Sequence, residues 1–140
     1  MQYTKRTLKK LIDAAEALGV ITVDLPGVSF TRSRAAPFLG VPMVYLGTKG
    51  PASLQVVVFA HEYGHIVTHV KKEAPPIAWT QRDIKRQTLS AKQKTALYEE
   101  ELRAWRYGFR FMRQQRIEVT KFAYDVKRAM LRRRRKELRL

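Results

Sequence analysis

The chain has 140 residues, 45% of them hydrophobic, no cysteine and a formal net charge of +16. That length suits one modest core. The lack of Cys excludes disulfides and thiolate metal sites and fits a reducing compartment, so a cytoplasmic location is expected. No apolar run reaches the ~18 residues of a membrane span, and no apolar signal core follows the basic N-terminus. A field this positive attracts nucleic acid, an anionic membrane surface or an acidic protein.

Tyr3 to Leu18 reads as an amphipathic helix, with Leu8, Leu11, Ile12, Ala15 and Leu18 on one stripe and Gly19 as its C-cap. Ile21 to Leu25 alternates like a strand; Pro26-Gly27 signals a turn, with Val28 to Thr31 as the return strand. Arg32 to Pro37 reads as a solvated basic loop, with a phosphate or acidic-partner contact as the alternative. Val41 to Leu46 is a third strand, and its Met43–Tyr45 stretch is the candidate edge for adding an extended peptide. Gly47 to Gly50 is a turn, and Pro51 takes the first position of the next helix, which runs to about Val70. Ile77 to Gln87 is a connection whose Trp79 covers a cleft or packs.

That helix carries His61-Glu62-Tyr63-Gly64-His65, an H-E-x-x-H motif inside an apolar run. Residues four apart share a helix face with Cβ atoms about 5–6 Å apart, close enough for two imidazoles to hold one zinc ion. Glu62 projects beside that position, where a carboxylate can act as general base toward a zinc-held water. His69 is eight residues beyond His61. That is about 12 Å along the axis, too far for the same ion, and its place is near the helix C-terminus. With no Cys and no other His, the third ligand must be a carboxylate. The acidic cluster Glu99-Glu100-Glu101 supplies candidates. Glu101 shares a face with Leu97, Ala104, Trp105, Gly108 and Met112, where a carboxylate is costly unless paired or metal-bound. Glu101 ranks first and Glu100 second, while Glu99 groups with the solvated Arg103 and Arg106.

Ser90 to Gln93 fits a capping box and opens the Glu101 helix, Ala91 to about Gln115. Tyr98 or Tyr107 is a candidate oxyanion donor. Thr120 caps a last helix, Lys121 to about Leu138, with Phe122, Val126, Ala129 and Met130 as its apolar stripe. Residues 113–140 carry 11 Lys/Arg and 3 Asp/Glu, a net +8. The run Arg132 to Lys136 reads as a solvated charge run or an electrostatic tether for nucleic acid or an acidic protein. No proposed ligand lies in Leu131–Leu140, so that stretch is expected to be dispensable for zinc.

Phe59-Ala60-His61-Glu62-Tyr63-Gly64-His65 resembles the F-x-x-A-H-E-x-G-H helix of ImmA/IrrE-type zinc metallopeptidases, Val41–Leu46 resembles their active-site strand, and Glu101 to Gly108 is similar to their E-x-E-A-N-x-F-A segment. The resemblance covers about residues 1–115. It departs at Arg103, where a second acidic residue is usual, and at Trp105, where Asn or Asp is usual; both bear on the support of His61 or His65. The resemblance implies an α+β zincin-like domain over residues 1–116, with a small, mostly antiparallel sheet packed against the H-E-x-x-H helix and the Glu-bearing helix, and a basic C-terminal helix over 117–140. It implies a gluzincin site: metal ligands His61, His65 and Glu101, the catalytic base Glu62, and Zn2+ as cofactor. The implied substrate is a regulatory, repressor-like protein in a phage or mobile-element setting. The rival reading is a nucleic-acid-associated or protein-binding module with a structural or vestigial zinc site.

Overall fold

Thr4 opens helix α1 (Lys5–Ala17) with a reciprocal cap: its hydroxyl accepts from Thr7 N–H, and the Thr7 hydroxyl accepts from Thr4 N–H. Leu18 is the C-cap, and Gly19 follows at φ +87°, a left-handed conformation that glycine adopts without cost. The computed structural model describes residues 2–38, 40–75 and 81–140. Trp79 lies outside the described residues.

Three strands form one sheet in the order β1-β3-β2: β1 (Ile21–Ser29), β2 (Arg34–Phe38) and β3 (Val41–Lys49). β1 pairs with β3 in parallel, Ile21 opposite Met43, and β2 pairs with β3 antiparallel, Arg34 opposite Tyr45. The sheet is therefore mixed, which corrects the mostly antiparallel expectation. The cause lies at Pro26-Gly27. These residues do not turn the chain back; β1 runs through them as an irregularity between Leu25 and Ser29. A short 3-10 turn, Phe30–Arg32, then reverses direction, and the basic stretch expected to be a loop becomes strand β2. β3 extends through Gly47 to Lys49, where a turn was expected.

Helix α2 (Ala52–Val70) begins one residue later than expected, with Pro51 as its N-cap. Pro51 offers no side-chain acceptor; instead the buried Gln55 donates to the carbonyls of Thr48 (2.6 Å) and Gly50 (3.1 Å), tying the helix to the end of β3. Helices α3 (Gln81–Arg86), α4 (Ala91–Gln114) and α5 (Lys121–Leu138) follow. The Ser90–Gln93 capping box and the Thr120 cap form as their sequences predict. The core gathers Leu11 and Ala15 of α1, Val44 and Leu46 of β3, Val56, Val57 and Phe59 of α2, and Trp105, Phe109 and Met112 of α4. Tyr3 ties the start of the chain to the cap of α5: its hydroxyl donates to Glu118 O (2.7 Å) and accepts from Thr120 N–H (3.0 Å). No helix among the described residues is long and apolar enough to cross a membrane.

Two glycines set how closely α2 and α4 approach. A Cβ on Gly64 would lie 1.8 Å from Ala104 O, and one on Gly108 would lie 2.3 Å from Ala60 O. The helices thus touch backbone to backbone at Ala60/Gly108 and at Gly64/Ala104. The site is built beside those contacts.

Candidate metal centre

His61 and His65 lie one turn apart on α2 and face Glu101 on α4. His61 Nε2 is 3.0 Å from His65 Nε2 and 2.9 Å from Glu101 Oε2, and His65 Nε2 is 3.3 Å from Glu101 Oε1. Ligands about 2.0–2.1 Å from a tetrahedral zinc stand roughly 3.3 Å from one another. The three donors are therefore spaced as one small cation requires, and two imidazole nitrogens with a carboxylate oxygen are a donor set that zinc accepts. Among the described residues, these three alone form such a group. His69 lies in the last turn of α2 and is outside it.

The electrostatics of the three groups interlock. Burial works against a charged His65, but Glu101 and Glu100 outweigh it and hold this imidazole well above its ordinary value. Burial and the neighbouring His65 both push His61 down, and Glu101 more than offsets them. Burial pushes the Glu101 carboxyl up, yet His65 and His61 together hold it well below the usual carboxylate range. A buried cluster this polar is costly unless fully compensated. A divalent cation at the convergence of the three donors would supply that compensation.

Glu100, the second-ranked ligand, has a different partner. Its Oε1 lies 2.7 Å from His65 Nδ1 and accepts from the buried Thr68 hydroxyl at 2.6 Å. Glu100 thus grips the far side of the His65 ring and leaves Nε2 to face Glu101. This is the carboxylate–imidazole support that metal-bound histidines usually have. His61 is held otherwise. Trp105 stacks on its ring at a centroid distance of 4.3 Å and 16° between planes. His61 Nδ1 lies 3.5 Å from Glu62 Oε1 but makes no hydrogen bond. That distance is at the outer edge for a hydrogen bond, and packing is the firmer restraint. Arg103, the other departure, turns away toward Glu73, donating to its carbonyl at 3.2 Å.

Sequence reasoning missed Arg134. It sits in the run expected to be solvated, yet its side chain is only 20% exposed and its Nη2 donates to Glu101 Oε1 at 3.0 Å. Its Nη1 also bonds Glu137 Oε2 at 3.2 Å. The run is therefore not a uniform tether: Arg132, Arg133, Arg135 and Lys136 are exposed, and Arg134 points inward. The signal was available, because Met130, Arg134 and Leu138 recur every four residues along one face of α5, and Leu138 is fully buried. Thr68 was also missed; it lies three residues beyond His65 on the same face of α2.

A cavity of about 610 Å³ opens onto the centre. His61, Glu62, His65 and Glu101 line it, with Arg34, Ala35 and Ala36 of β2 on one side and Met130 and Arg134 of α5 on another. Tyr98 and Tyr107 do not. The Tyr107 hydroxyl donates to the Glu73 carboxylate at 2.8 Å, and Tyr98 packs with Ile84, Leu89 and Leu138. Met43–Tyr45 is not a free edge either, since β3 is the central strand, paired on both sides over those residues. The strand edge beside the cavity belongs to β2. Comparison with protein-family models, curated proteins and solved structures finds no match to this chain.

Proposed function

We propose that the protein is a zinc-dependent endopeptidase with a zincin-like arrangement of its metal helix and Glu-bearing helix. The observation that carries this is the convergence of His61 Nε2, His65 Nε2 and the Glu101 carboxylate at 2.9–3.3 Å, with Glu62 beside them on the same cavity wall. A purely structural metal site has no need of a carboxylate at Glu62 or of an open cavity.

His61, His65 and Glu101 would hold the ion. When bound, zinc supplies Lewis acidity toward the scissile carbonyl and makes water a nucleophile near neutral pH. The chain supplies the rest. Glu62 takes the proton from the attacking water and passes it to the leaving amine. Glu100 fixes the His65 ring, Trp105 fixes the His61 ring, and Arg134 holds one oxygen of Glu101. The open edge of β2, at Ala35 and Ala36, is where an extended peptide would add as a further strand. The substrate class implied by the resemblance, a regulatory repressor-like protein, belongs to the same proposal.

The test has two readouts. Elemental analysis should give one zinc per chain, lowered in His61→Ala, His65→Ala and Glu101→Ala. Glu62→Gln should keep its zinc and lose at least ~10²-fold in peptide hydrolysis, the lower end for general acid–base catalysis. Undiminished turnover in zinc-loaded Glu62→Gln would refute the mechanism.

A further inference from the structure

On the face of α4 away from the metal centre, Arg103, Arg106, Arg110 and Arg113 recur at spacings of three, four and three residues. Such a stripe lies along one side of a helix and spans about 15 Å at 1.5 Å per residue. Beside it is a groove of about 460 Å³ between α4 and α5, lined by Arg103, Arg106 and Arg113 from α4 and by Tyr124 and Lys127 from α5. One carboxylate, Glu99, lies at its margin.

The cations here are held by rings and hydroxyls, not by acids. Arg113 Nη2 donates to the Tyr124 hydroxyl at 2.7 Å, and Lys127 Nζ lies 5.7 Å from the Phe109 ring centroid. Arg106, Arg110 and Lys71 all gather on the Tyr107 ring, at 5.9, 5.6 and 4.7 Å. Among the described residues of this group, only Arg103 has an ion-pair partner, Glu73 at 3.7 Å. Among the described residues, Arg106, Arg110, Arg113 and Lys127 have no carboxylate partner. Burial, and then the charge of Arg113, push the Lys127 ammonium below its ordinary value, as expected where positive charge is crowded and uncompensated. Exposed apolar groups line the groove with the cations: Leu102 is 39% exposed and Tyr124 38%.

We infer that the α4/α5 groove and its arginine stripe bind the sugar–phosphate backbone of a nucleic acid, without reading its sequence. The stripe's length of about 15 Å matches roughly four phosphates along one strand of a duplex at 3.4 Å of axis each, close to one arginine per phosphate. The exposed Tyr124 ring beside the cationic track is a surface on which an unpaired base can stack. The inference stands apart from the peptidase reading, because the groove contains none of the proposed ligands.

The test is fluorescence anisotropy of a labelled 20-nucleotide single strand and of the matching duplex, against the full chain, over a range of salt. Two triple variants remove equal charge: Arg106→Ala/Arg113→Ala/Lys127→Ala in the groove and Arg132→Ala/Arg135→Ala/Lys136→Ala on exposed α5. The groove variant should flatten the duplex log K–log salt slope by about 2.7, and the single-strand slope by about 2. The α5 variant should change each by less than half as much. Arg106→Glu, a single change at an exposed position, should weaken binding even if the triple variant does not fold. Equal losses in the two triple variants would show a diffuse field and overturn the groove, as would an unchanged slope in the groove variant. Polyglutamate displacing the strand at equal charge concentration would overturn the assignment to nucleic acid.

Discussion

Glu100 offers the sharpest test of how the centre is assembled. The residue is 7% exposed, and its carboxylate takes both its bonds on Oε1, from His65 Nδ1 at 2.7 Å and from Thr68 at 2.6 Å. A hydrogen bond to a charged acceptor contributes about 1.5–3 kcal/mol, and one to a neutral acceptor about 0.5–1.5. Glu100→Gln keeps an acceptor oxygen and loses the charge. The His65 bond should weaken by about 1–1.5 kcal/mol, or roughly tenfold in zinc affinity. Glu100→Ala removes the bond altogether and should cost up to ~100-fold, the upper range for the support of a metal-bound histidine. Thr68 adds little to that loss, because its hydroxyl already lies 2.8 Å from His65 O and can donate there instead. Competition with a chromophoric chelator at neutral pH measures each affinity. The expected order of zinc binding is unaltered chain, Glu100→Gln, Glu100→Ala, then Glu101→Gln. If Glu101→Gln binds more tightly than Glu100→Gln, Glu100 is the ligand and the assignment of the two carboxylates is reversed. If Glu100→Ala binds as tightly as the unaltered chain, the support argument fails.

Gly64→Ala would drive a methyl group into Ala104 O, 1.8 Å from the position it must take, and should cost about 3 kcal/mol or more; thermal unfolding should show a Tm lower by on the order of 10 °C. In zinc-free protein, the raised His65 and His61 values give a stabilisation that is complete below their ordinary 6.5 and lost as pH rises through the folded values. The depressed Glu101 gives one present above its ordinary 4.5 and lost as pH falls, so the metal-free Tm should be highest between these bounds and decline toward alkaline pH. Zinc needs neutral imidazoles, so zinc-loaded protein should show the opposite trend, losing its metal-derived gain in Tm as pH falls. Deleting Leu131–Leu140 removes Arg134 from Glu101 and the fully buried Leu138 from Ile84 and Leu89. It should lower both Tm and zinc retention, contrary to what the sequence predicts; unchanged zinc retention in a folded truncation would mean that Arg134 does not help position Glu101.

The elements that local sequence determines were legible. Caps at Ser90 and Thr120 and the apolar periodicity of α1, α2 and α4 depend on neighbours within one or two turns. The sheet was not. Pro26-Gly27 is a strong turn signal, yet β1 continues past it, because an irregularity beside β3 can absorb residues that a regular ladder cannot. Pairing partners lie far apart in sequence, and nothing in Arg34–Phe38 marks it as a strand before β3 is there to receive it. That error carried through to the candidate peptide edge: with a hairpin expected between β1 and its return strand, β3 could be an edge; with β1 paired to β3 in parallel, β2 is the edge strand at the cavity among the described residues.

At the candidate metal centre, helical spacing made the His61, His65 and Glu101 cluster legible, but not the division of labour between Glu100 and Glu101. Glu100 and Glu101 are adjacent, so their side chains leave α4 about 100° apart, and only the position of α2 decides which meets His Nε2 and which meets His65 Nδ1. That position rests on Gly64 and Gly108, two residues whose role is to have no side chain. The same reasoning explains Trp105. Where a polar residue would have bonded His61, a ring fully buried against α2 stacks on it instead, so the two histidines are restrained by different forces: His65 by a charge-assisted bond and His61 by packing. A hydrogen bond fixes one nitrogen in direction, whereas stacking fixes the plane of the ring and leaves its Nδ1 without a partner. The His61 side therefore depends on the integrity of the core around Trp105, and the His65 side depends on the charge of Glu100. Changes that loosen α2 against α4 should disturb His61 first, even when every ligand and every charge at the site is retained.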